Sequence, residues 1–577
     1  SSSSRPRHLT NDDLSNHYTR GVSYKEIFPN KELGTNDNTT LPVLNLAFYP
    51  NERGPYNLDA ENVNSDGTLG NPEKRWGGVM RKIEPSDLES ANYEYIEFWL
   101  LDPYLEDETA EGGDLYFNLG EISEDILKDE RKFFENGMPV DGDMSKVDTT
   151  VWGKVPRTQS TGYAFDAQNR ELQDVGLNGL STEEEQIFPT YADYLNKLRA
   201  KLSGETISKM MDDPFSPFND PAGDNYHYFR GDDYDAKELD ILSRYKRYNG
   251  TEGNSQESDQ RYATAGKSTP DVEDINGDNT LNETEKYFEY KISLRPKDLQ
   301  VGVNNIVDER TPEVTLMNGD KEKVKWYLFK IPIKDYEKRV GAIRDFKTVR
   351  FMRMYMTGFR KSTVLRFGTL ELVRGDWRTY TQDLSNPLVP PKSDGQIVVS
   401  SVNIEENGQR QPVNYVLPPG ISRMFDSSQP QLLQQNEQAL SMKITDLSPA
   451  DARAVYKSTA YDLRRYKRLQ MFAHAEAPID ESKTLSNGDF SVFIRLGSDY
   501  KNNYYEYEVP LDLTPHSTIL YNTNNSADQE KVWPLNNTLN FKLETLTDLK
   551  LERNKLKRQG QGNISYQKVY SKNDPDN

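Results

Sequence analysis

Cysteine is absent from all 577 residues of the chain. Disulfide bridges, thiolate metal sites and a cysteine nucleophile are therefore excluded, and bridges give no information on the redox compartment. Long apolar runs are absent as well, since no stretch approaches the roughly 18 apolar residues that a membrane-spanning helix requires. Residues 1–6 contain neither a methionine nor the apolar segment of a signal peptide, so we expect them to begin an internal piece of a longer protein.

Positive charge is scarce relative to negative charge. The chain has 92 Asp and Glu residues against 71 Lys and Arg residues, which gives a formal net charge of -21. Because binding to phosphates needs a cationic face, this balance argues against a nucleic-acid partner. Carboxylate oxygens favour hard divalent cations instead.

Common catalytic motifs are also missing. The five histidines stand far apart in sequence, and no His-Glu-x-x-His, Gly-x-Ser-x-Gly or P-loop pattern occurs. These absences remove the usual signatures of metalloproteases, serine hydrolases and NTPases, so we expect a protein that is not an enzyme. A glycosidase needs only two suitably placed carboxylates, and the many acidic residues leave that alternative open.

Aromatic residues, by contrast, are plentiful, with 34 Tyr and 22 Phe. They occur in short segments whose apolar and polar residues alternate, which is the pattern of half-buried β-strands. The clearest segments are 93–101, 114–120, 286–294, 326–333, 348–356 and 363–372. Turn-forming residues separate them, so the sequence predicts a mainly β fold with α insertions, built from antiparallel, jelly-roll-like β-sandwich modules.

The order of these segments predicts two sandwich modules. Residues 1–70 are expected to form an extended N-terminal segment, residues 71–380 the first module and residues 381–577 the second. Between about 121 and 285 the sequence becomes acidic and rich in Gly and Asn, with helical spacing in two places. This change predicts a long, partly helical insertion in the first module.

The second module repeats strand phrases of the first. Residues 488–497 echo residues 113–120, and residues 503–511 echo residues 286–294 in the same order. Strands of unrelated sandwiches resemble one another in composition, but agreement in order and spacing favours a duplicated module.

A candidate calcium loop lies at the end of the insertion. Oxygen-bearing side chains recur at alternate positions of residues 274–285, as a hard cation with six to eight oxygen ligands requires. Asn279 stands where the pattern prefers glycine, and a strand rather than a helix is expected to follow. An Asx-rich turn without a metal has the same composition, so both interpretations stay open. The predicted ligands of a structural Ca²⁺ are Asp274, Asn276, Asp278, Thr280, Asn282 and Glu285.

Eight phrases along the chain carry a family resemblance. They are residues 14–20, 53–57, 75–81, 95–103, 117–125, 173–179, 351–355 and 415–421. In this order, and spanning nearly the whole chain, they resemble the repeated region of the SprA/Sov family of gliding motility and type IX secretion proteins.

The resemblance implies a region of a very large outer-membrane protein through which other proteins are transported. It implies as partners the barrel of the parent protein, PorV-like and plug proteins, and the secreted cargo. The cell surface is the expected side of the outer membrane, with the periplasmic side as the alternative. We therefore expect a non-catalytic cap or scaffold that supports protein transport and gliding motility.

The alternative function is that of a surface carbohydrate-binding or carbohydrate-cleaving sandwich protein. Trp99, Trp326 and Trp533 lie in strand contexts and are expected in the core. Trp76 precedes two glycines and is the candidate for an exposed sugar platform. Specific binding of a sugar would favour this alternative over the secretion scaffold.

Overall fold

The computed structural model describes residues 5–34, 38–134, 138–139, 141–158, 176–225, 227, 229, 231–246, 273–384, 395–425, 434–478, 485–499 and 503–560. The chain divides into two compact units. The first unit comprises Ser1–Val22 and Thr40–Arg374, and the second comprises Ser23–Thr39 and Gly375–Asn577. No helix in the described part of the chain is long and apolar enough to cross a membrane.

Strands dominate the described residues. Those of the first unit are β1 (Leu44–Phe48), β2 (Trp76–Lys82), β3 (Tyr93–Leu101), β4 (Asp114–Glu121), β5 (Val147–Thr149), β6 (Lys154–Pro156), β7 (Lys286–Ser293), β8 (Ile306–Arg310), β9 (Glu313–Thr315), β10 (Lys321–Lys323), β11 (Trp326–Pro332), β12 (Lys338–Val340), β13 (Phe351–Thr357) and β14 (Thr363–Arg374). Those of the second unit are β15 (Arg378–Tyr380), β16 (Gln396–Asn403), β17 (Gln438–Thr445), β18 (Ala454–Tyr456), β19 (Arg468–Met471), β20 (Ser491–Gly497), β21 (Tyr504–Pro510) and β22 (Leu539–Lys542). The α-helices are α1 (Tyr24–Ile27), α2 (Thr182–Glu185), α3 (Pro189–Lys201), α4 (Gly204–Met211), α5 (Asp232–Ala236), α6 (Ile241–Lys246), α7 (Ile404–Asn407), α8 (Ser526–Val532) and α9 (Leu543–Arg558).

Two five-stranded antiparallel sheets form the sandwich of the first unit. One has the strand order β1-β14-β3-β11-β8, and the other has the order β12-β7-β4-β13-β2. Side chains of both sheets meet in one core, where the ring centroids of Phe98 on β3 and Phe117 on β4 lie 5.6 Å apart. The predicted mainly β, antiparallel fold is therefore confirmed.

Alternation of side chains explains why these segments become strands. On β4, Leu115, Phe117 and Leu119 are fully buried, whereas Tyr116 between them is partly exposed. Successive side chains of a strand point to opposite faces of the sheet, so a segment with apolar residues at every second position can bury one whole face. That buried face supplies the core of the sandwich.

The insertion leaves the sandwich at the end of β4 and returns at the start of β7. Residues 122–285 separate β4 from β7 in sequence, but the two strands pair directly, with Glu121 opposite Lys286. The insertion contains β5, β6 and helices α2 to α6, which confirms that it is partly helical. Its apolar residues pack together with the chain that precedes β2, as in the cluster of Leu195 and Leu198 of α3 with Ala60.

The described strands of the second unit pair two by two. The pairs are β15-β18, β16-β17, β19-β22 and β20-β21, all antiparallel. One core cluster gathers Tyr415, Val416 and Trp533, and the indole Nε1 of Trp533 donates to the carbonyl oxygen of Val416 at 2.9 Å. This unit is thus also antiparallel β, but the described residues form narrower sheets than in the first unit.

One strand pair that the sequence predicts to be repeated has the same register in both units. In the first unit the amide of Leu294 donates to the carbonyl of Gly113 at 2.8 Å. In the second unit the amide of Leu511 donates to the carbonyl of Phe490, also at 2.8 Å. The pairs β4-β7 and β20-β21 therefore match residue by residue, which supports the duplication.

A glycine occupies the same crowded position in each pair. A β-carbon on Gly120 would lie 2.3 Å from the carbonyl oxygen of Lys286. A β-carbon on Gly497 would lie 2.2 Å from the carbonyl oxygen of Asn503. Both distances are far below a van der Waals contact, so the neighbouring strand can approach this closely only because the side chain is missing.

We expect Gly120→Ala and Gly497→Ala each to lower the free energy of unfolding by roughly 1–3 kcal/mol, because the added methyl group forces the paired backbone to move. Equilibrium denaturation of the whole chain measures the change. Gly54→Ala is the matched control, since Gly54 lies outside the helices and strands and a β-carbon there meets nothing within 4 Å. Unchanged stability in both strand variants would contradict the close approach of the two backbones.

Candidate functional site

The predicted calcium loop lies directly before β7, where the insertion rejoins the sandwich. The carboxylate of Asp274 accepts hydrogen bonds from the amides of Asp278 at 3.0 Å and Asn279 at 2.7 Å. Asn279 has a φ of 66°, the left-handed conformation for which asparagine is the best replacement of glycine. The loop is therefore a tight turn organised around its first carboxylate.

A buried glutamate outside the loop fixes its position. Glu124 is 0% exposed, and its carboxylate accepts from the amides of Asn276 at 3.1 Å and Asn282 at 3.3 Å. The Glu124 amide in turn donates to the Asn282 carbonyl at 2.7 Å. Burial raises the pKa of Glu124, and the amide donors oppose that shift. This clamp ties the returning end of the insertion to the segment that leaves β4.

Cationic side chains already neutralise part of the loop. The Nζ atom of Lys132 lies 2.8 Å from Oδ2 of Asp274, and Nη1 of Arg353 lies 3.2 Å from Oε1 of Glu285. In the described residues, the carboxylates of Asp274, Asp278 and Glu285 do not gather within 4.8 Å of one another. Calcium would have to displace these cations and draw the ligands together, so its binding here stays a prediction.

A second buried glutamate lies immediately before the loop. Glu273 is 0% exposed, and its carboxylate accepts from three backbone amides, those of Ile126 at 2.8 Å, Leu127 at 3.0 Å and Phe133 at 3.2 Å. Burial raises its pKa to about 8, although the three amides oppose the shift. Glu273 therefore closes the segment after β4 around the end of the insertion.

Three buried carboxylates form a cluster deeper in the insertion. Oxygen atoms of Glu185, Asp220 and Asp224 lie within 4.8 Å of one another, and all three residues are buried. Glu185 lies at the end of α2, and the other two belong to the loop that follows α4. This geometry suits either a shared proton or a hard cation with oxygen ligands.

Backbone and side-chain donors hold the three carboxylates in place. Glu185 accepts from Nδ2 of Asn178 at 2.6 Å and from the amide of Ala222 at 3.0 Å. Asp220 accepts from the amide of Gly223 at 2.8 Å. Such preorganised donors make the close approach of like charges possible.

Asp224 is held by the hydroxyl group of a tyrosine. Tyr56 Oη donates to Oδ2 of Asp224 at 2.6 Å and accepts from the amide of Leu177 at 2.8 Å. Gly176 packs against the same carboxylate, since a β-carbon there would lie 2.1 Å from Asp224 Oδ2. The cluster therefore connects segments that are far apart in sequence.

The cluster strongly perturbs proton binding. Burial raises the pKa of Glu185 to about 7, and the neighbouring Asp220 carboxylate adds to the shift. Burial and the nearby Glu185 carboxylate also hold the pKa of Asp224 well above its usual range. Arg53 lies close by, but its guanidinium donates to the backbone carbonyls of Asn57 at 2.9 Å and Asp220 at 3.2 Å. At neutral pH the cluster thus binds at least one proton or needs a compensating cation.

Sequence reasoning missed this cluster for a simple reason. Glu185 and Asp224 follow no metal-binding spacing, because the loop after α4 brings them together only in the folded chain. An indirect signal existed: the family phrases at 53–57 and 173–179 contain Tyr56 and Asn178, both of which bind the cluster.

Comparison with known proteins gives one match. A protein-family model, SprA_N, described as a motility related/secretion protein, matches residues 193–577, which is more than half of the chain. The matched range includes Asp220, Asp224, the loop at 274–285 and the strands of the second unit. No curated protein matches the chain.

We expect the stability of the chain to depend on pH through Glu185. Its pKa is about 7 in the folded chain against 4.5 for an ordinary glutamate, so the folded state retains a proton between about pH 4.5 and 7 that the unfolded state releases. The free energy of unfolding therefore falls as pH rises through this window, by up to about 3 kcal/mol at 1.36 kcal/mol per unit.

Glu185→Gln removes the titrating group, so the fall of stability between pH 4.5 and 7 is expected to become shallower. Urea denaturation at a series of pH values measures it. Glu205→Gln is the control, because Glu205 lies on the surface of α4 with its side chain 80% exposed. A Glu185→Gln chain with the same pH slope as the unmodified chain would refute the assignment.

If the loop at 274–285 binds calcium, millimolar calcium is expected to raise the unfolding temperature of the chain. The free energy of unfolding rises by about 2.7 kcal/mol when the calcium concentration is a hundredfold above Kd. The gain should vanish in Asp274→Ala with Asp278→Ala. It should grow in Lys132→Met, because the competing ammonium group is gone. Equal unfolding temperatures with calcium and with chelator in all three chains would leave the loop as an Asx-rich turn.

Proposed function

Because the chain belongs to the SprA_N family of motility related and secretion proteins, we propose that it is a non-catalytic cap or scaffold region of a giant outer-membrane translocon for type IX secretion and gliding motility. The family match carries the proposal, since it covers Gly375–Asn577 of the second unit and the part of the insertion from residue 193 onward. On this proposal the region binds proteins: the barrel of its parent, PorV-like and plug proteins, and secreted cargo. The extracellular side is the proposed location, with the periplasmic side as the alternative.

An anchored, folded insertion supports a scaffold role. The clamps at Glu124 and Glu273 join its two ends to each other through backbone amides, at the point where the chain leaves and re-enters the sandwich, so the described residues at both ends are held in place. The insertion displays an apolar side chain at Ile187, which is 80% exposed just after α2. A single exposed apolar side chain is common on protein surfaces, so Ile187 serves here as an accessible position from which a bound partner can be detected.

One observation favours the carbohydrate-binding alternative. Trp99, Trp326 and Trp533 are buried, as the sequence predicts, with 3%, 0% and 7% of their surfaces exposed. Trp76 is 70% exposed at the start of β2, an edge strand of its sheet. An exposed indole ring offers the flat apolar face that stacks on a sugar, which supports a sugar platform as the second candidate function.

We expect a photo-cross-linking residue in place of Ile187, in the full-length parent protein, to give adducts with PorV-like proteins, plug proteins or secreted cargo in cells. A substitution at Lys209 of α4 is the matched surface control and should give fewer adducts, because its side chain is 75% exposed but charged. Mass spectrometry identifies the adducts.

The two candidate functions differ in the effect of Trp76→Ala. If the protein is a scaffold, the Trp76→Ala chain still supports cargo secretion and still forms the cross-links. If the protein binds a sugar, the Trp76→Ala chain loses its binding signal on a glycan array. Specific sugar binding that disappears in Trp76→Ala, together with no cross-links to secretion partners, would replace the scaffold proposal by the alternative.

A further inference from the structure

β2 is the last strand of its sheet, and it bonds to one neighbouring strand, β13. The amide of Ile83, just after β2, donates to the carbonyl of the opposite residue Arg350 at 2.7 Å, which indicates the phase of the ladder. Because hydrogen bonding alternates along an antiparallel strand, the amides and carbonyls of every second residue point away from β13. These outward groups belong to Trp76, Gly78, Met80 and Lys82.

A close contact at Gly78 confirms this phase. A β-carbon on Gly78 would lie 2.8 Å from the β-carbon of the opposite residue, Tyr355, and 2.7 Å from the carbonyl oxygen of Met354. Opposite residues approach each other most closely where they exchange no hydrogen bonds. The backbone groups of Gly78 therefore face the outer edge of β2.

The outer edge of β2 is open to solvent. Trp76 and Val79, whose side chains lie on the two faces of the strand, are 70% and 50% exposed. Among the described residues, which include all of 38–134, no strand lies beyond β2 and no group binds its outward amides and carbonyls. An open edge of this kind is a template for the addition of another strand.

β2 is complementary to itself when a second copy runs antiparallel to it about a two-fold axis at Val79. In this register all seven residues of the strand pair. Each outward residue then meets an outward residue of the second copy, Gly78 with Met80 and Trp76 with Lys82. The same patch serves both partners, as a two-fold symmetric interface requires.

The side chains of these facing pairs suit one another. The ammonium group of Lys82 comes beside the exposed indole ring of Trp76, whose face attracts a cation. The present ion pair of Lys82 with Glu84, at 3.4 Å, joins two exposed side chains and contributes little. Met80 of the second copy covers the gap above Gly78, since a large side chain across from an edge glycine stabilises it.

The other face of β2 favours the same register. The two Val79 side chains meet on the axis and cover each other's exposed surface. Arg81 lies opposite Gly77 of the second copy, so no like charges meet. An axis at Gly78 would instead place Arg81 opposite Arg75, where two guanidinium groups repel.

We propose that β2 pairs with β2 of a second copy of this chain, so that the sheet continues across a two-fold axis at Val79 into the second molecule. The proposal goes beyond the secretion role and does not depend on it. Each partner contributes one strand, and such a small interface gives a dimer that forms only at high concentration.

Engineered cysteines test the register, because the chain contains no cysteine of its own. The two Val79 residues form a pair without hydrogen bonds, whose α-carbons lie about 4.5 Å apart, within reach of a disulfide. Val79→Cys is therefore expected to give a covalent dimer on mild oxidation. Arg81→Cys is the matched control and should give none, since the two introduced cysteines lie four positions apart, about 13 Å. Gel electrophoresis without reductant measures both.

Met80→Pro removes one outward amide and leaves the bonds to β13 in place. Sedimentation of the whole chain over a range of concentrations is expected to show dimerisation weakened roughly tenfold or more, or by about 1.4 kcal/mol. Met80→Leu is the control that keeps the amide and dimerises like the unmodified chain. Circular dichroism checks the fold of each variant.

The cysteine variants keep the proposal testable even if Met80→Pro does not fold. A chain that stays monomeric at every concentration and gives no Val79→Cys cross-link would overturn the proposal. Equal cross-linking of Val79→Cys and Arg81→Cys would overturn it as well, since the contact would then be random collision. A dimer that a folded Met80→Pro chain still forms with unchanged affinity uses another surface, and it too would contradict the pairing of β2.

Discussion

The direct pairing of β4 with β7 is the constraint on which the architecture of the first unit depends. It closes an insertion of residues 122–285 without interrupting the sheet. The free-energy cost of closing a loop grows slowly with its length, by about 0.6 kcal/mol for each doubling. A long insertion therefore costs little more to close than a short one. The larger requirement is that burial of apolar surface offsets the entropy lost when the inserted residues become ordered. Part of that surface is buried against the chain that precedes β2, since Leu195 and Leu198 of α3 pack with Ala60.

Buried carboxylates join the two ends of this insertion to each other beside the sandwich. Glu124 and Glu273 each accept hydrogen bonds from several backbone amides. These amides lie in tight turns, so the carboxylates take the place of the backbone carbonyl groups that bind such amides in helices and strands. Desolvation favours their neutral forms, while the amide donors favour the charged forms. The strongly acidic composition thus has a structural use inside the fold, in addition to its effect on the surface.

The sequence predicts the parts of this structure that depend on short-range patterns. Alternation over a few residues is sufficient to place β3, β4, β7 and β11, because the period of a strand is set by its own backbone. The turn at 274–285 is likewise local, and the left-handed conformation of Asn279 follows from its position. The partners of these elements are not local. Lys132 contacts Asp274, and Glu185 lies close to Asp224, only in the folded chain. The spacing of these residues in the sequence predicts neither contact.

The duplicated strand pair has different surroundings in the two units, and this difference has thermodynamic consequences. β4 is flanked on both sides and its core face is sealed, whereas the described residues give β20 one neighbour and leave its core face partly exposed. Isolated two-stranded sheets are marginally stable in water, so the β20-β21 pair depends on packing beyond its own hydrogen-bond ladder. The ring of Tyr507 on β21 stacks on the ring of Phe541 on β22 with the centroids 4.4 Å apart, which ties this pair to the β19-β22 pair of the same unit.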